Sequence, residues 1–124
     1  MLQRITLHLA RNKGFPDGSS ERGYEILAPL DASGHLDADV WKRVRNLCTV
    51  RRFWVGESDR EGRLVHHAGG EGGATWKIHY PQAINGDETG YRLGAHRFAL
   101  DEYTSIHDES GQSQTFKIVR ISPV

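Results

Sequence analysis

Residues 36–55, LDADVWKRVRNLCTVRRFWV, decide the fold class, because the apolar period changes inside them. In the first half Val40, Trp41, Val44, Leu47 and Cys48 recur at helical spacing, while Lys42, Arg43, Arg45 and Asn46 fall elsewhere. Asp37 suits the N-cap, where its carboxylate can accept from a free amide of the first turn. Leu36 and Trp41 occupy the two positions of a hydrophobic staple, and Arg43 and Arg45 lie toward the C-terminal end, where the helix dipole favours cations. The spacing predicts a short amphipathic helix near residues 37–48 with its apolar stripe on the core. From Thr49 the period becomes two. TVRRFWV is β-branched and aromatic, reads as a strand, and stops at Gly56.

Outward from this segment the chain reads as strands and turns. Gln3, Ile5, Leu7 and Leu9 alternate with Arg4, Thr6, His8 and Ala10, the pattern of a half-buried strand. NKGFPDGSSERG (12–23) is a loop by its turn chemistry. YEILAPL (24–30) is a second strand, with Pro29 at an edge or a strand end because it lacks an amide donor. Downstream, RLVHHA, TWKIHYP, YRLGAHRFAL, EYTSIH and QTFKIVRIS read as strands, separated by the turn-rich GESDREG, GGEGG, NGDETG and DESGQS. EYTSIHDESGQSQTFKIVRI has the form of a hairpin. The expectation is one domain over 1–124, mainly β: a single antiparallel sheet or small barrel of about seven to eight strands with one short helix.

Composition narrows the function classes. The 124 residues suffice for one self-sufficient core, and 14 glycines fit many turns. Sixteen basic and sixteen acidic side chains cancel, so no global field draws the chain to nucleic acid or a membrane. Residues 1–55 hold nine basic and six acidic groups, and residues 56–110 hold five and ten, so the charge is uneven along the chain. The single cysteine, Cys48, excludes an internal disulfide and points to a reducing cytoplasm. No apolar run approaches the ~18–20 residues of a membrane span, and MLQRITLHLARNKG lacks the apolar core of a secretory signal.

GYEILAPLDASGHLD, CTVRRFW and HRFALDEYTSIHDESGQSQTFKIVRI resemble segments of a family of small bacterial conserved hypothetical proteins, over most of the chain. The resemblance implies a single domain. It brings no activity, ligand, cofactor or catalytic residue.

The candidate binding residues are Arg52, Trp54 and Arg51. Alternation puts Val50, Arg52 and Trp54 on one face of their strand and Thr49, Arg51, Phe53 and Val55 on the other. The two arginines cannot form one clamp, and whichever face is buried carries an arginine inward. An inward arginine needs a carboxylate, a carbonyl, an aromatic ring or a ligand anion. The plain reading is a paired or snorkelling side chain. The ligand reading falls on Arg52 with Trp54, since a tryptophan face holds a guanidinium or a planar ligand.

Other chemistries have weaker footing. A nucleic-acid surface would use Lys42, Arg43, Arg45, Arg51 and Arg52 on phosphates with Trp41, Phe53 or Trp54 stacked on bases, which requires exposed rings. Adjacent His66 and His67 diverge in a strand, His79 lies on a polar face, and His96 and His107 meet only through an unknown pairing. No zinc or calcium spacing is present, so no metal and no cofactor is expected. Cys48 on the apolar stripe reads as an inert thiol. GESDR lacks a nucleophile elbow, and GGEGGAT lacks the Lys-Ser/Thr ending of a phosphate loop. The acidic pairs Asp87-Glu88, Asp101-Glu102 and Asp108-Glu109 read as surface charge, and no catalytic residue is assigned. We therefore expect a non-catalytic module recognising a protein or small anionic ligand, ahead of a nucleic-acid binder and an enzyme without a local signature.

Overall fold

The computed structural model describes residues 2–67, 76–81, 88–90, 97–107 and 112–124, with the backbone alone at 88–90. Among the described residues, eight strands run in chain order: β1 Leu2–Leu9, β2 Ser19–Pro29, β3 Thr49–Trp54, β4 Arg60–His66, β5 Trp76–His79, β6 Glu88–Gly90, β7 Tyr103–His107 and β8 Ser113–Pro123. Each pairs antiparallel with the next, and β8 pairs back onto β1, which closes the sheet into a barrel. Closure removes the unpaired edges that an open sheet would present. The mainly β class and the small barrel are as the alternation indicates. No helix among the described residues is long and apolar enough to cross a membrane.

The inner wall follows from period two. Ile5, Leu7 and Leu9 of β1, Tyr24, Ile26 and Ala28 of β2, Leu64 of β4, and Trp76, Ile78 and Tyr80 on and just after β5 are all buried. Burying each large aliphatic or aromatic side chain contributes about 1.5–3 kcal/mol. β8 starts with Phe116 and Ile118 inward, then a bulge intervenes. Thr6 pairs with Arg120 but Leu7 pairs with Ile118, so Val119 is the extra residue. The bulge reverses parity after Val119, which leaves Arg120 outside as well and brings Ile121 to face Ile5 against the core.

The helix starts as its residues dictate. α1 spans Ala38–Val44, and the Asp37 carboxylate accepts from the Val40 amide at 3.1 Å. Trp41 enters the core, where its Nε1 donates to the Leu64 carbonyl at 3.0 Å and its ring stands edge-on to Trp76. Leu47 departs from the expected stripe. At Val44 (φ −124, ψ 16) the backbone leaves helical values, and the 3-10 turn Arg45–Leu47 that follows carries Leu47 into solvent, 50% exposed.

Three expected boundaries also move. β2 begins at Ser19, within the stretch read as loop, because Leu9 pairs with Ser19 and Arg22 with Trp54. The turn-rich NGDETG contains β6, paired to β5 through Ile78↔Glu88. Residues 97–100, expected as strand, are irregular: Phe98 is buried, yet its amide donates to the Gly34 carbonyl of a loop rather than to a strand. The GGEGG run, residues 91–96 with His96, and the Asp108-Glu109 pair lie outside the described residues.

Candidate functional site

The inward and outward faces of β3 are now fixed. Val50 is buried, Trp54 packs against the core, and the Arg52 side chain is 12% exposed, so Arg52 is the inward arginine. Its guanidinium lies 4.3 Å from the Trp54 ring centroid, and Nη1 is 3.4 Å from Glu57 Oε1. The turn that carries Glu57 back is permitted by Gly56 at φ +87, a left-handed conformation that side chains other than glycine adopt at a penalty. Arg51 points the other way. On the outer wall it meets Asp59 at 3.0 Å and Glu25 at 3.5 Å, and it lies 5.1 Å from the Phe53 ring. The three expected site residues therefore divide: Arg52 and Trp54 stand together, and Arg51 is held elsewhere.

The barrel brings a further arginine to Trp54. Arg22 is the register partner of Trp54 across β2 and β3. Its guanidinium lies 4.7 Å from the Phe15 ring and 5.8 Å from the Trp54 ring, and those two rings meet edge-on at 6.3 Å. Nη1 donates to Ser19 Oγ at 3.1 Å, whereas Nε is buried with no hydrogen-bond partner among the described residues. No described carboxylate reaches Arg22 within ion-pair distance. Arg60, the register partner of Arg52 on β4, lies 4.1 Å over the Tyr80 ring. Three adjacent strands thus send Arg22, Arg52 and Arg60 inward at one end of the barrel, each against an aromatic ring.

Deeper in the same half, the Tyr24 ring stands edge-on to Phe116 at 5.0 Å, and Phe116 pairs with Thr104. Thr104 Oγ1 is buried and has no hydrogen-bond partner among the described residues. A hydroxyl and a guanidinium nitrogen left in this state favour any group that can bond to them.

Arg22 and Phe15 are the residues that sequence reasoning missed, since both fall inside the stretch read as loop. The signal was present for one of them: Arg22, Tyr24, Ile26 and Ala28 alternate without a break. Phe15 carried none, because its place beside Trp54 depends on how the β1–β2 connection folds over.

The remaining chemistry is dispersed. Trp41 is 7% exposed and Trp54 faces inward, so neither ring lies on the surface that carries Lys42, Arg43 and Arg45. Only Phe53 of that set faces outward, edge-on to His8. His66 is half-buried beside Trp76 and Trp41 instead of facing solvent, and burial, then Lys42 and His67, hold its pKa below the ordinary value. His67 and His79 are exposed, and no group of three metal-capable side chains forms among the described residues. Cys48 is fully buried, its Sγ 3.5 Å from the Val44 carbonyl, and burial pushes the thiol up to about 11. Such a thiol is protonated at neutral pH and is not a nucleophile.

No family model, curated protein or solved structure matches the chain.

Proposed function

We propose that the protein is a non-catalytic binding module that takes a small anionic ligand at the barrel end framed by Phe15, Arg22, Arg52 and Trp54. The observation that carries this reading is Arg22, with its buried Nε unpartnered among the described residues and its guanidinium held between two rings. A guanidinium drawn partly out of water loses hydration that one hydroxyl and two ring faces replace only in part. A carboxylate, sulfonate or phosphate can accept two parallel N–H bonds from it. Trp54 adds a flat apolar wall, which suits a ligand with a planar ring beside its anionic group. Arg51, engaged by Asp59 and Glu25 on the outer wall, is left out of the site. Cys48, buried and protonated, takes no part in the site.

The test follows tryptophan fluorescence at fixed ionic strength with anilinonaphthalene sulfonate, benzoate, inorganic phosphate and the neutral benzyl alcohol. The expected result is saturable quenching by the aromatic anions and little by the alcohol. Arg22→Gln should weaken binding about tenfold or more, which corresponds to about 1.4 kcal/mol. Equal binding by Arg22→Gln, or no saturable response to any anion, overturns the proposal.

A further inference from the structure

A second basic surface lies beside the start of β3, away from Arg22, where the 3-10 turn passes β4. A cleft of about 330 Å³ there is lined by the apolar Trp41, Leu64 and Val65 and by Arg45, Asn46 and Arg63. Leu47, adjoining it in the chain, stands half in solvent. The Arg63 guanidinium donates to the Asn46 carbonyl at 3.5 Å, and Arg45 makes no ion pair among the described residues. Lys42 is exposed and likewise without a described carboxylate.

Arg45 and Arg63 line the same cleft, and like charges so placed repel. The helix C-terminus accounts for Arg45 in part, through its dipole. It gives no reason for Arg63, which comes from a strand and adds a further positive charge to the same cleft. An anionic partner relieves this repulsion. The apolar lining asks for something more than an anion, because half-buried Val65 and the small exposed part of Trp41 offer contact to a carbon side chain. A concave cleft of this size receives one or two side chains, whereas a bilayer presents a broad surface. Trp41 is too buried to stack on a base, which removes the ring that single-stranded nucleic acid would use.

We infer that the cleft between the 3-10 turn and β4 docks an acidic peptide segment of a partner protein, with one apolar side chain seated on Val65 beside the small exposed part of Trp41 and flanking carboxylates on Arg45 and Arg63. This site is independent of the one at the Arg22 end.

The test uses a dye-labelled peptide of glutamates around one phenylalanine, with fluorescence anisotropy as the readout on the full chain. Saturable binding that weakens with salt is expected. Replacing the peptide phenylalanine with alanine should lower the affinity about tenfold. The double variant Arg45→Gln with Arg63→Gln should lose binding by a similar factor, with an unchanged unfolding midpoint because both side chains are exposed. Arg22→Gln should bind as the parent does, which separates this site from the other. No binding at low salt, equal binding by the double variant, or equal binding of the alanine peptide overturns the inference. So does tighter binding of an oligothymidylate or of phosphatidylserine vesicles, which would make the partner a nucleic acid or a membrane.

Discussion

At Arg52 and Arg22 the same side chain meets two different surroundings. Arg52 is almost enclosed but has Glu57 and the Trp54 face. Arg22 has rings and a hydroxyl without a described carboxylate. Position along the barrel axis sets the difference, since Glu57 is carried back over β3 by the Gly56 turn. Trp41 is bound more firmly than either arginine, by its core packing, its bond to Leu64 and its contact with Trp76. Trp41→Ala should therefore lower stability by about 3–5 kcal/mol, read from urea unfolding. His8 and His66 give the fold an acid sensitivity. Burial is the leading cause of the lowered pKa at both, from an ordinary 6.5. The unfolded chain thus binds the proton more tightly. Their contribution is fully present above that ordinary value and is lost as pH falls through it toward the folded pKa. Replacing both with Gln should flatten the fall of the unfolding midpoint between neutral and mildly acidic pH.

Among the elements, β1 and its two neighbours carry the most constraint. Gly23 sits where β2 crosses β1, and a β-carbon there would lie 1.9 Å from the Leu7 carbonyl oxygen and 3.0 Å from the Phe53 ring. The register row His8, Gly23, Phe53 explains the choice: the missing side chain leaves the Phe53 ring room to lie over the strand toward His8. Gly23→Ala must move backbone, and we expect a loss of about 2–3 kcal/mol, visible in thermal unfolding. The alternation in β1 and the hairpin pairing of β7 with β8 were legible in the sequence. The Val119 bulge was not, because nothing local distinguishes an extra residue from a paired one until β1 lies beside it. Leu47 was misplaced for a similar reason: helical spacing was extended past Val44, where the chain instead turns to deliver Cys48 and β3 to the barrel.

The whole molecule is a closed ring in which β1 meets both β2 and β8 along its length. Native-state hydrogen exchange is expected to show the slowest amides in β1, which is paired on both sides; fast exchange in β1 with protection elsewhere would contradict this. The sequence by itself determined the strand class, the Asp37 cap, the burial of Trp41 and the divergence of Arg51 from Arg52. These depend on covalent geometry, with period two in a strand and 3.6 in a helix. Only the tertiary structure decided which face of β3 is inside, that β8 returns to β1, and that Phe15 and Arg22 converge on Trp54. Those outcomes rest on register between segments far apart in the chain, and a local pattern holds no record of which partner will lie across from it.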